Sequence, residues 1–185
     1  NVVSLASTGG AFAAVKSNGS VVTWGDSDYG GDSSAAQEKL INVQSIVNTR
    51  SAFAAIKSDR SIVTWGDSDY GGDSSAVQDD LTNVKSIAGG HFAFAALKGD
   101  GSVVTWGDSD SGGDSSAVQD DLTNVKSIAS GHFAFAALKG DGSVVTWGIS
   151  DSGGDSSGMQ GQLNNILRID GANLGFVALR AVPDD

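Results

Sequence analysis

The chain of 185 residues is acidic: 22 Asp and Glu oppose 11 Lys and Arg for a formal charge of −11, with 26 Gly, one Pro and no Cys. That charge repels nucleic-acid phosphates and anionic membrane surfaces, and the lack of cysteine excludes disulfides, thiolate metal sites and a cysteine nucleophile. No run approaches the roughly 18 apolar residues of a membrane helix, so neither a nucleic-acid partner nor membrane insertion is expected.

The chain is long enough to bury a real core as one domain. It opens at Asn1 without an initiator methionine and so reads as a processed or trimmed product. Trp24, Trp65, Trp106 and Trp147 fall 41 residues apart, as do Phe12, Phe53, Phe94, Phe135 and Phe176. A fixed period of this length signals a solenoid, a propeller or an array. The units run approximately 1–41, 42–82, 83–123 and 124–164, with a partial unit over 165–185.

Each unit reads as three short strands and a loop. First strands are expected at Val2–Ser7, Val43–Asn48, Val84–Gly89, Val125–Ser130 and Ile166–Gly171, though Val84, Ser86 and Ala88 against Lys85 and Ile87 give no clean one-sided alternation. A tight hairpin follows, as in Ala93–Lys98, Gly99-Asp100-Gly101-Ser102 and Val103–Trp106. Glycine supplies a positive φ in the turn at Gly19, Gly101 and Gly142, so Arg60 at that place in the second unit predicts a strained or differently shaped turn. On the second strand Phe94 and Ala96 share one face while Ala93, Ala95 and Leu97 share the other, so both faces are apolar. Burial on both sides fits sheets stacked face to face, which favours a propeller over a linear β-solenoid.

An acidic loop follows each Trp, GDSDYGGDSS in the first two units, GDSDSGGDSS in the third and GISDSGGDSS in the fourth. One or two helical turns then run through segments such as Ser75–Leu81, where Ser75 and Gln78 have capping-box spacing and Leu81 can point back at the core. After Leu179 the chain gives Arg180-Ala181-Val182-Pro183 in place of a hairpin and VVTWG, so the fifth unit lacks its Trp-bearing strand.

The run NVKSIAGGHFAFAALKGDGSVVTWGDSDSGG resembles the repeat of the RCC1-like propellers, and is similar in its short form to the three-stranded blades of the bacterial beta-lactamase inhibitory protein of that superfamily. The resemblance covers nearly the whole chain. It implies an all-β propeller of 41-residue, three-stranded blades, about five of them with the last incomplete, and a rigid disc that binds proteins. Two departures stand out. The family's usual His before the second-strand Leu is Ala93 or Ala134 here, and full rings of the family usually carry seven blades. The GGDSSAVQ-type loop is also similar to repeats of secreted or organellar proteins of marine microbes and dinoflagellate algae, and that resemblance implies, as an expectation, a location outside the cell or in an organelle lumen.

Candidate site residues fall into two sets. Asp26, Asp28 and Asp32, repeated as Asp67, Asp69 and Asp73 and as Asp108, Asp110 and Asp114, have a spacing that could hold a hard cation such as Ca²⁺, the one cofactor the chain suggests. The simpler reading is that these carboxylates cap turns, since Gln37, Gln78 and Gln119 stand where a Ca²⁺ loop needs a bidentate carboxylate. The second set lies between first and second strands, where Gly9, Arg50, His91, His132 and Asn173 vary at equivalent positions of an otherwise constant unit. Variation on a fixed scaffold is where partner choice can reside. Tyr29 and Tyr70, against Ser111 and Ser152, join that set because tyrosine is enriched at binding hot spots. No Ser, His and acid are arranged for nucleophilic catalysis, so no enzyme is expected. The leading expectation is a non-catalytic scaffold for a protein partner, as an accessory subunit of a larger assembly. The alternative is a secreted, Ca²⁺-dependent lectin that reads a glycan once per blade.

Overall fold

The computed structural model describes residues 1–181. Four units each fold as a three-stranded antiparallel sheet in chain order: β1 (Val2–Ser7), β2 (Ala11–Lys16) and β3 (Val21–Gly25); β4 (Val43–Asn48), β5 (Ala52–Lys57) and β6 (Ile62–Gly66); β7 (Val84–Gly89), β8 (Ala93–Lys98) and β9 (Val103–Gly107); β10 (Val125–Ser130), β11 (Ala134–Lys139) and β12 (Val144–Gly148). The fifth is a two-stranded sheet of β13 (Ile166–Ala172) and β14 (Gly175–Arg180). The tail expectation at Val182 and Pro183 lies outside the described residues.

The untidy alternation of the first strand has a physical cause. Pairing of β7 with β8 slips between Val84 and Ser86, so Lys85 is an extra, bulged residue. The bulge resets the pleat: Val84 and Ile87, three apart, pack on one side of the sheet, while Ala88 packs on the other. The same slip recurs at Val2, Val43, Val125 and Ile166.

The second strand supplies the inter-blade core. Ala52, Ala54 and Ile56 of one blade pack against Phe94, Ala96 and Trp106 of the next, and Ala93, Ala95 and Leu97 pack in turn against Phe135, Ala137 and Trp147. Small alanines let the sheets approach and the Phe–Trp pair fills the gap. The rings of Phe94 and Trp106 stack at 5.1 Å, and the Trp106 Nε1–H donates across the junction to the Gly71 carbonyl at 3.0 Å. Trp65 and Trp147 repeat that bond to Gly30 and Gly112. Each of these three junctions is therefore both apolar and keyed by one buried hydrogen bond.

First strands neighbour one another across units, β1 beside β4, β4 beside β7, β7 beside β10 and β10 beside β13. The third strands do not converge in this way. The units thus meet at their inner strands and splay outward, as blades do and as the linear stack of a solenoid would not.

Arg60 keeps the turn shape of its glycine counterparts, with φ at 64° beside 76° at Gly19 and 83° at Gly101. The strain expected there is borne in full by an L-residue in the left-handed region, and the guanidinium donates to Asn83 Oδ1 at 3.0 Å. The short helical turn after each acidic loop is present, as at Ser75–Val77, but Ser75 and Gln78 do not form a capping box. Gln78 instead accepts from Ser74 Oγ at 3.0 Å and donates to the Ile62 carbonyl at 3.3 Å, tying the turn to the third strand. Leu81 points into the core, fully buried like Leu40 and Leu122.

Candidate partner-binding rim

Five turns between first and second strands line up at one end of the blades. A ladder of backbone hydrogen bonds joins them: Gly9 N–H to the Arg50 carbonyl at 2.7 Å, Arg50 to His91 at 2.9 Å, His91 to His132 at 2.8 Å and His132 to Asn173 at 3.0 Å. One bond per junction, from equivalent residues, places the five variable positions side by side. Around them opens a groove of about 460 Å³, lined by the turns and the ends of the first strands, with Arg50, His91, His132 and Asn173 among its walls. No carboxylate lines it, although the chain as a whole is strongly acidic.

The two imidazoles stand with ring centroids 4.8 Å apart, edge to face, and both meet Phe133. His91 is held below the ordinary histidine range by burial first, then by His132 and Arg50, the charged groups that face it. The sign follows directly. The unfolded chain takes up this proton at a higher pH than the folded one, so stability falls as pH drops from about 6.5 through the folded pKa. His91→Gln is expected to flatten that part of a stability-versus-pH curve from thermal unfolding; an unchanged slope between pH 7 and 5 would reject it.

Tyr29 and Tyr70 belong to the same rim, but each packs as well as projects. Tyr29 covers Gly10, where an added Cβ would lie 3.0 Å from the ring, and Tyr70 meets Phe92 at 4.8 Å. In the first two units the loop carries Tyr while the turn carries Gly10 or Ser51; in the next two the turn carries Phe92 or Phe133 while the loop carries Ser111 or Ser152. Ser51, Ser111 and Ser152 are all buried. Each of these units thus places one large ring at the rim, from alternate sides. The exchange is visible in the sequence only when loop and turn are compared together, a pairing the strand pattern alone does not suggest.

The acidic loops adjoin this rim, for Thr8 Oγ1 donates to the Tyr29 carbonyl at 2.8 Å and Thr49 Oγ1 to that of Tyr70 at 3.0 Å. Within each loop the carboxylates turn to their own backbone. Asp26 accepts from Asp28 N–H, Asp67 from Asp69 N–H and Asp108 from Ser111 N–H, while Asp32, Asp73 and Asp114 accept from Ser34, Ser75 and Ser116 at 2.8 Å. Those backbone bonds lower the Asp32, Asp73 and Asp114 carboxyls from the usual range. Asp28, Asp69 and Asp110 are exposed to solvent. Among the described residues no three His, Cys, Asp or Glu side chains gather to hold a metal ion, and no helix is long and apolar enough to cross a membrane.

No family model matches the chain, and no curated protein matches it. Solved structures do. Prp20p from Saccharomyces cerevisiae, in a structure described with its binding to Gsp1p and histones, aligns over 96% of this chain and 55% of its own, at 18% identity and a TM-score of 0.65. Yeast RCC1 (Prp20) with Kap60 aligns over 100% and 50%, at 20% identity and 0.61. The CRINKLY WD40 ectodomain of the Arabidopsis thaliana receptor kinase ACR4 aligns over 98% and 60%, at 15% identity and 0.57. The chain spans about half the length of these proteins. Its fold is an RCC1-like repeat propeller of three-stranded blades, with the last blade incomplete.

Proposed function

We propose that this chain is a non-catalytic scaffold that binds a protein partner through the rim of turns, as an accessory part of a larger assembly. The observation that carries this reading is the ladder from Gly9 to Asn173. It gathers the positions at which the units differ into one groove, while the blades beneath stay nearly constant. A surface that must hold one partner in one orientation needs such asymmetry, and a symmetric glycan reader would not. The protein-binding structures of Prp20 support the reading by analogy of fold. The acidic loops are, in this reading, turn chemistry, and the scaffold needs no metal.

A photo-crosslinking residue placed at His132 is expected to capture one defined partner from the source organism's extract. The same residue at Asp141, in the hairpin turn between β11 and β12, should capture nothing, and Arg50→Glu should abolish capture at His132. Equal capture at both sites would sink the rim assignment. Millimolar Ca²⁺ should leave the unfolding midpoint unchanged; a clear rise would restore the cation reading of the Asp loops.

A further inference from the structure

Charge is spread unevenly over the blades. The hairpin turns between second and third strands carry Asp59, Asp100 and Asp141, and the loop after each Trp carries two or three more acids. The turns of the ladder carry none. Between first and second strands, at 8–10, 49–51, 90–92, 131–133 and 173–174, the ionisable side chains are Arg50, His91 and His132.

The loops beside these turns do not neutralise them. Asp67 and Asp108, whose backbone N–H groups bond the Ser51 and Phe92 carbonyls, direct their carboxylates to the N–H groups of Asp69 and Ser111. In the fourth unit that place is taken by Ile149, bonded to the Phe133 carbonyl, so the loop nearest His132 lacks this carboxylate altogether. Among the described residues the ion pairs are Lys57–Asp59 and Arg168–Asp170, which leaves Arg50 without an acidic partner. Arg50 is exposed, and the imidazoles of His91 and His132, 4.8 Å apart, are partly buried. In a chain of charge −11, an acid-free groove walled by one guanidinium and two imidazoles has the field of a site for negative charge. At physiological salt the screening length is about 8 Å, so the groove's own groups outweigh carboxylates beyond that range.

We propose that the rim groove recognises an extended, acidic segment of the partner, whose carboxylates meet the Arg50 guanidinium and the His91–His132 pair, and that binding tightens as the imidazoles take up protons. This inference rests on the rim reading above and names the chemistry of its partner. Arginine offers a planar fork that one carboxylate can meet with two hydrogen bonds. Histidine adds charge only as pH falls through its own range. The groups that face His91 are Arg50 and His132, from the turns on either side, and the rings of Phe92 and Phe133. Tyr70 meets Phe92, and His132 in turn meets Phe133. Burial, then His132 and Arg50, hold His91 below the ordinary range. A carboxylate seated among these cations opposes their repulsion, so ligand and proton bind cooperatively.

The test uses the whole 185-residue chain at about 0.15 M salt. The probe is a fluorescently labelled peptide alternating Glu and Gly, which in extended form sets successive carboxylates about 7 Å apart, and binding is followed by anisotropy. Saturable binding is expected, about tenfold tighter at about pH 5.5 than at about pH 7.5, a range in which glutamate stays ionised. Arg50→Gln should weaken binding about tenfold at both pH values. His91→Gln combined with His132→Gln should remove the pH dependence. Lys126→Gln, which deletes an exposed charge at the opposite end of the blade, should change nothing, and circular dichroism should stay native in each variant. Absence of saturable binding at the lower pH overturns the proposal, as does equal binding of a Gln–Gly peptide or an affinity that does not change with pH. Equal losses in Arg50→Gln and Lys126→Gln, or equal binding of a single-stranded oligonucleotide, mark general attraction of polyanions and also overturn it. If the peptide fails while crosslinking at His132 still captures one partner, this inference falls and the rim reading stands. Peptide binding without capture at His132 leaves an anion site with no partner and overturns both.

Discussion

Phe94→Ala is expected to lower the stability of the 185-residue chain by about 4 kcal/mol, whereas Phe12→Ala should cost less than about 1 kcal/mol, as read from chemical denaturation. The two residues occupy the same place in their repeats, each stacked on its own Trp at 5.1 and 5.4 Å. They differ in what lies on the far side. Phe94 is 0% exposed because Ala52 and Ala54 of the preceding blade close over it. Phe12 is 48% exposed and its partner Trp24 46%. Removing the Phe94 ring leaves a cavity that two pinned sheets cannot collapse into, so the transfer and cavity terms add. Removing the Phe12 ring gives up contact with one Trp alone. Similar losses at the two sites would show that stability resides within single blades rather than between them, and would remove the packing basis for the propeller.

The contrast shows what the sequence could and could not reveal. The 41-residue period, the three strands per unit and the two apolar faces of the second strand were legible because each is a local pattern repeated on one chain. The bulge at Lys85 was legible only as a failed alternation, since an extra residue leaves no mark except a broken period. Asn42, Asn83, Asn124 and Asn165 carried a plainer signal. All four hold φ between 54° and 56° at the start of the next unit, and asparagine is among the few non-glycine residues that adopt this conformation readily. The rim was half legible. Variation at Gly9, Arg50, His91, His132 and Asn173 marked the positions, but the backbone bonds that align them and the Tyr-for-Phe exchange at residues 29, 70, 92 and 133 exist only once the blades are stacked.

Gly89→Ala is expected to destabilise the chain by about 2–3 kcal/mol, with its effect concentrated at the rim. Gly89 ends β7, and its equivalents in neighbouring blades are Asn48, Ser130 and Gly171. An added Cβ would press into the Asn48 carbonyl oxygen well inside van der Waals contact, and would stand 3.1 Å from Val47 Cγ1. The obstacle is the backbone of the adjacent first strand, so rotamer changes cannot relieve it. Gly89 also accepts from Ser130 Oγ at 2.9 Å, which ties the next blade to the same point. The blades on either side must therefore move apart where the ladder passes from Arg50 to His91. Amide exchange offers a direct readout. In Gly89→Ala the Arg50 amide, which donates to the His91 carbonyl, should lose protection, while the Trp106 indole bond to Gly71, at another part of the same junction, should persist. A uniform loss of protection would mean global unfolding. Retained protection at the Arg50 amide would show that the ladder does not depend on this close approach, and that the groove's shape is set by the turns alone.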